Sequence, residues 1–178
     1  MENQKVEAKK FVLNYGILLG ILSVILGVVM YVTNAYIDPS LIYTAVGFLI
    51  LIGVISFGIN AFKSENSGFL NLGDALKVGI GIAVIGGIIT AIWSYLLMNY
   101  IEPEYMSQVM EMSREKMMIS NPNLTQAQMD KMMEMSSKFS TPWMIMAFSL
   151  IGNLFFGLLI SLIAGLIMKN KNPYEEAS

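Results

Sequence analysis

Four long apolar windows constrain this chain more than any other feature of its sequence. They cover residues 11–33, 41–62, 75–98 and 143–168. A helix of about 20 apolar residues spans a hydrocarbon core of about 30 Å. Lys77, near the start of the third window, is the one charged residue in any of them. None alternates polar and apolar positions as a membrane strand must. The expected fold is therefore all-α: an integral membrane four-helix bundle built from two helical hairpins.

The remaining residues could not wet a soluble globule of this size. Charged residues make up 13% of the chain, against about 25% in typical soluble domains. A net charge of −2 leaves no electrostatic footprint for nucleic acid. Cysteine and histidine are both absent. That excludes disulfides, thiolate chemistry, histidine-ligated metals and serine triads built on histidine. No cofactor is expected.

Lys5, Lys9 and Lys10 precede the first window. That window is too long for a signal peptide and no small-x-small site closes it, so it reads as an uncleaved span. Lys63 and Lys77 flank the link between the second and third windows, and Lys169 and Lys171 follow the fourth. With four spans all seven share one side. The positive-inside rule then places both termini in the cytoplasm and residues 99–141 outside. Membrane lipid is one expected partner. Tyr31, Tyr36, Trp93, Tyr95, Tyr100 and Trp143 cluster at the outer ends, as an interfacial aromatic belt would.

The first span ends "YVTNAYIDP" and the third "YLLMNYIEP". At an offset of 64, Tyr31/Tyr95, Tyr36/Tyr100, Ile37/Ile101 and Pro39/Pro103 are identical. Two origins explain the echo: duplication of a two-helix unit, or two exits using the same interfacial chemistry.

Small residues give the spans smooth faces for close backbone approach. Gly79, Ala83, Gly87 and Ala91 recur every fourth residue in the third span, with Gly86, Thr90 and Ser94 alongside. Gly157, Ser161 and Gly165 do so in the fourth, and Gly16, Gly20, Ser23 and Gly27 mark the first. Helix packing is the expected role, and lining a pore or lipid groove is the alternative. Asn14, Asn60, Ser94, Ser149 and Asn153 are the notable polar residues in the spans. Asn153 is deep enough to need a hydrogen-bond partner. An interhelical bond is expected, with a substrate-binding amide as the alternative. The middles of the spans lack Asp, Glu, Lys and Arg. This counts against proton-coupled transport, intramembrane aspartyl proteolysis and voltage sensing.

Asp74 and Lys77 stand at the cytoplasmic start of the third span. A carboxylate there can cap free amides and favour the helix dipole. A lysine one turn in can snorkel to headgroups. The pair reads as an anchor.

Residues 99–141 hold nine of the 15 methionines. "SNPN" at 120–123 marks a turn. Pro103 reads as a first helical residue, and "TQAQ" at 125–128 as a capping box. Two amphipathic helices follow, about 103–119 and 126–138, packed on each other or on the membrane surface. Cu(I) is the sharper alternative, because thioether sulfur is soft and Met106, Met110 and Met112 lie close in sequence.

"YGILLGI" after a basic start, "GFLNLGDALKVG" entering the third span, "NPNLTQAQMDKM" in the loop and "KNKNP" in the tail together carry a resemblance. The chain resembles the domain-of-unknown-function 4199 family, four-helix membrane proteins mainly of Bacteroidota-type bacteria. The resemblance implies topology and the inner membrane. It implies no activity and transfers no catalytic residue. The functional expectation is a small non-enzymatic inner-membrane protein acting through helix contacts with itself or a membrane partner. A small-solute transporter or channel is the alternative.

Overall fold

The structure, a computed structural model, describes residues 7–170. Six α-helices follow one another: α1 (Ala8–Val32), α2 (Leu41–Glu65), α3 (Leu72–Leu96), α4 (Tyr105–Ser120), α5 (Gln126–Phe139) and α6 (Pro142–Met168). A π-helical turn, Leu97–Ile101, extends α3. The described residues contain no strand, only an isolated antiparallel bridge. Helices α1, α2, α3 and α6 are each long and apolar enough to cross a membrane. The chain is accordingly a multi-pass membrane protein.

Local chemistry sets the helix ends. Helix α3 starts three residues before the apolar window because Asn71 caps it. The Asn71 Oδ1 accepts from the Asp74 amide at 2.7 Å, and its Nδ2 donates to Asp74 Oδ2 at 2.7 Å. Asp74 thus sits inside the first turn, tied to the cap rather than acting as one. Thr141 accepts from the Met144 amide at 3.4 Å and puts Pro142 at the first position of α6, where a missing N–H costs nothing. At α5, Thr125 and Gln128 form the reciprocal capping box expected from "TQAQ". Pro103 does not open α4, which begins at Tyr105. The reason is the π-helical turn, which ends at Ile101 and is followed by a non-helical Glu102 (φ −133°, ψ 76°).

Helix α3 is the axis of the bundle. It packs on α1, α2 and α6, while α1 and α6 flank it on opposite sides. Glycines make the approach close. A Cβ on Gly16 would stand 2.6 Å from the Cβ of Ile85, and one on Gly20 2.6 Å from that of Ile89. Gly81 and Gly86 of α3 return the arrangement by receiving Val12 and Leu19 of α1. On the opposite face, Gly79 receives Ser161, Ala83 lies on Gly157, and Ala75 lies on Gly165. Such contacts give dispersion where lipid supplies no hydrophobic drive.

Burial is uneven along the bundle axis. Ile55, Ile59, Val78, Ile82 and Ser161 are fully buried, and all lie toward the end that holds the termini. That end is also fastened. Leu70 and Asn170 exchange two backbone hydrogen bonds, at 2.8 and 3.0 Å. Asn170 Nδ2 donates to the Gly68 carbonyl at 2.9 Å. Lys10 pairs with Glu65 at 3.1 Å, and Phe11 meets Phe62 edge-on at 5.5 Å. Lys9, Lys10, Lys63, Lys77 and Lys169 gather there. Lys5 and Lys171 lie outside the described residues.

Candidate functional site

Toward the other end, where α4 and α5 sit, the four long helices part around an open cavity of about 490 Å³. Its size falls within the range of ordinary ligand sites. Leu19 and Leu51, both buried, line its deep end. Phe48 of α2 and Phe156 of α6 meet edge-on at 4.9 Å on one wall. Trp93 packs against Gly27, where a Cβ would lie 2.5 Å from the indole nitrogen. Tyr36, Pro39, Met98 and Tyr105 stand at the mouth.

The lining is mostly apolar, and its polar members carry no formal charge. Ser23 comes from α1, Thr44 from α2, Thr90 and Ser94 from α3, and Ser149 and Asn153 from α6. Thr90 Oγ1 donates to the Gly86 carbonyl at 2.9 Å. Asn153, Ser149, Ser94 and Ser23 make no side-chain hydrogen bond with another described residue, and no buried polar atom among the described residues lacks a partner. Their polar groups therefore face the open space. The interhelical bond expected for Asn153 is absent: its side chain lies against the Gly87 position of α3 at 3.4 Å, where a glycine offers no side-chain partner.

The mouth is framed by a tyrosine network. Tyr36 stacks on Tyr105 of α4 at 5.8 Å and meets Tyr31 at a tilt, 5.3 Å between ring centres. Its hydroxyl donates to Gln108 Oε1 at 3.0 Å, and Gln108 Nε2 donates to Glu102 Oε1 at 3.0 Å. Lys116 reaches back to Asp38. Together these contacts dock α4 on the α1–α2 link. Desolvation pushes the Tyr36 phenol up, and the nearby Glu102 and Tyr31 add to the rise, while the Gln108 hydrogen bond opposes it. Burial and then Tyr36 do the same to Tyr105. Both phenols stay neutral and able to donate at neutral pH.

The aromatic belt expected from sequence is incomplete. Tyr95, Tyr100 and Trp143 are exposed, but Tyr36 and Trp93 turn inward and line the cavity. The sequence echo has a structural counterpart, since Tyr95 and Tyr100 meet at 6.2 Å as Tyr31 and Tyr36 do. The backbones differ. Asn34 leaves α1 in the left-handed region (φ 55°), which asparagine tolerates, whereas the second exit uses the π-helical turn. Such turns insert one residue and often occur at functional sites; here Leu97 and Met98 of that turn line the cavity.

Gly79, Ala83, Gly157, Ser161 and Gly165 lie in the α3–α6 contact at the packed end. Gly87 lies further toward the cavity, its position 3.2 Å from Leu150 and 3.4 Å from Asn153. Ala91 is buried one turn on. Asp74 and Lys77 belong to the opposite end and do not approach the cavity. Met106, Met110 and Met112 are half-buried on the single helix α4. Two residues turn a helix by about 200°, so Met112 leaves α4 on another side from Met110. On α5, Met129 is buried. Met132, Met135 and Phe139 are 44%, 57% and 56% exposed, with Trp143 beyond them at 75%. Sequence reasoning did not single out Asn71, Thr44 or the inward Trp93. The available signal was that hydroxyl residues continue the glycine stripes of α1 and α3 toward the loop end.

No curated protein and no solved structure matches the chain. A family model described as Protein of unknown function (DUF4199) matches residues 14–170. The match takes in α1 from residue 14 on, the other three long helices, the cavity between them and both loop helices, and the chain belongs to that family.

Proposed function

We propose that this is a non-enzymatic protein of the bacterial inner membrane that works through contact with a second copy or another membrane protein. Both termini face the cytoplasm in this reading, on the strength of the lysines at the packed end. Helices α4 and α5 form an extracytoplasmic hairpin at the membrane surface. The observation that carries the reading is the exposed row Met132, Met135 and Phe139 of α5, with exposed Trp143 beyond it at the start of α6, on a segment whose other helix is docked by Tyr105, Gln108 and Lys116. Spacing of three and four residues puts an apolar stripe on one helix face, and such a stripe suits a groove on a partner helix.

Co-purification in native lipid, followed by mass spectrometry, tests the reading. A defined partner or dimer should be recovered, and Met135→Glu with Phe139→Glu should release it. Recovery of a monomer alone, with or without these changes, would count against it. Because the chain has no cysteine, topology can be read separately. A thiol placed by Ser120→Cys should react with an impermeant reagent from outside, and one placed by Ser64→Cys should not.

A second reading, a small-solute transporter or channel, draws support from the cavity being open at one end of the bundle and packed at the other. Solute flux in proteoliposomes tests it. Flux unaffected by Ala83→Leu and Gly87→Leu would count against a path along α3. Copper binding by the loop draws no support from Met112, which leaves the face shared by Met106 and Met110.

A further inference from the structure

We propose that the loop-end cavity binds one uncharged, carbonyl-bearing lipid, its chain among Leu26, Phe48 and Phe156 and its carbonyl oxygens toward Asn153 and Ser149. The inference adds a ligand to the protein and does not depend on the partner-contact reading above.

Location selects the source of the ligand. The cavity lies between four membrane-spanning helices, so its occupant comes from the bilayer. Lining chemistry selects the class. Neither Asp, Glu, Lys nor Arg lines the cavity, and a formal charge held there would go uncompensated. An uncharged head is the type the site accepts. The asparagine amide and the serine hydroxyls offer donors that the protein leaves unused, and hydrocarbon cannot use them. Carbonyl oxygens, which accept and cannot donate, are the complement. Water reaching the open mouth leaves the apolar majority of the wall without a partner. The volume of about 490 Å³ suits a chain plus a small head. Space is held open by glycine: a Cβ on Gly152, which lines the cavity, would meet nothing within 4 Å.

Two membrane molecules share this chemistry, the ester region of a diacylglycerol-type lipid and the ring of a prenyl quinone. Trp93 in the wall reports on both, because bromine atoms and quinones quench indole fluorescence on contact. The sequence has two tryptophans, so Trp143→Phe leaves Trp93 as the sole reporter. The full-length chain with this change, in detergent, is titrated with diacylglycerol carrying brominated chains and, separately, with a prenylated quinone. Saturable quenching by the first assigns the ester lipid, and by the second the quinone. Gly152→Phe should abolish saturation by filling the space. Asn153→Leu should weaken binding by about tenfold. Gly53→Leu, at another open position outside the cavity, should change nothing. Helical circular dichroism checks that each variant folds. Quenching by neither probe would overturn the proposal, as would quenching that rises without saturation and persists in Gly152→Phe. Undiminished affinity in Asn153→Leu would overturn the carbonyl assignment.

Discussion

Gly79 of α3 and Ser161 of α6 occupy each other's space: the Ser161 hydroxyl sits where a Cβ on residue 79 would stand. Ser161 is fully buried and donates to the Gly157 carbonyl of its own helix at 2.5 Å, so it brings no unmet polar group into the contact. Gly79→Ala should therefore destabilise the protein by about 1–3 kcal/mol, the usual cost of overpacking. Adding Ser161→Gly should recover part of that loss. Thermal unfolding of the two single variants and the double variant gives the coupling. Strict additivity would show that the two residues do not meet.

The start of α3 depends on Asn71. Its side chain satisfies the Asp74 amide and holds the Asp74 carboxylate. Asn71→Ala should cost about 1 kcal/mol, as loss of a helix cap does. Asp74→Asn keeps the length of the side chain and should cost less. Unfolding midpoints of both variants decide the order, and a larger loss from Asp74→Asn would return the capping role to Asp74.

Docking of α4 should fail in alkali. Tyr36 and Tyr105 both have phenol values raised above the ordinary 10.0. A phenol raised in the folded state holds its proton where the unfolded chain releases it. Its contribution is complete below about pH 10 and is lost as pH rises through the folded value. A phenolate absorbance titration should place Tyr36 and Tyr105 late, and Tyr36→Phe should remove one late group. Proteolysis within residues 121–125 should speed up over the same window. Late groups unchanged in Tyr36→Phe would contradict the docking geometry.

The four spans were legible in the sequence because the bilayer requires long apolar runs, and their ends moved by only a few residues once Asn71 and Thr141 supplied caps. The capping box at Thr125 was legible for a similar local reason. The cavity was not. In water an apolar stripe marks the inward face of a helix, but lipid makes the outward face apolar too. Ile17, Ile21, Ile163 and Ile167 are exposed here, while Ile55 and Ile82 are fully buried. Only small residues betray the contact face, and they look alike whether a neighbour fills the space, as Ser161 does at Gly79, or leaves it open, as at Gly152. The Leu70–Asn170 bridge was hidden because it joins positions 100 apart through backbone groups alone. The inward turn of Tyr36 and Trp93 depends on α4 and Gly27, which an interfacial reading of aromatic residues does not weigh.

The bundle is tightly packed at one end and open at the other. Gly152 and Gly157 test this arrangement on a single helix, one residue more than a turn apart. A Cβ on Gly157 would overlap Ala83, whereas one on Gly152 meets nothing within 4 Å. Thermal unfolding of Gly152→Leu and Gly157→Leu, in the same detergent, is the most direct measurement. The midpoint of Gly152→Leu should stay close to that of the parent, and that of Gly157→Leu should drop by a large amount. Equal drops for the two would contradict this arrangement.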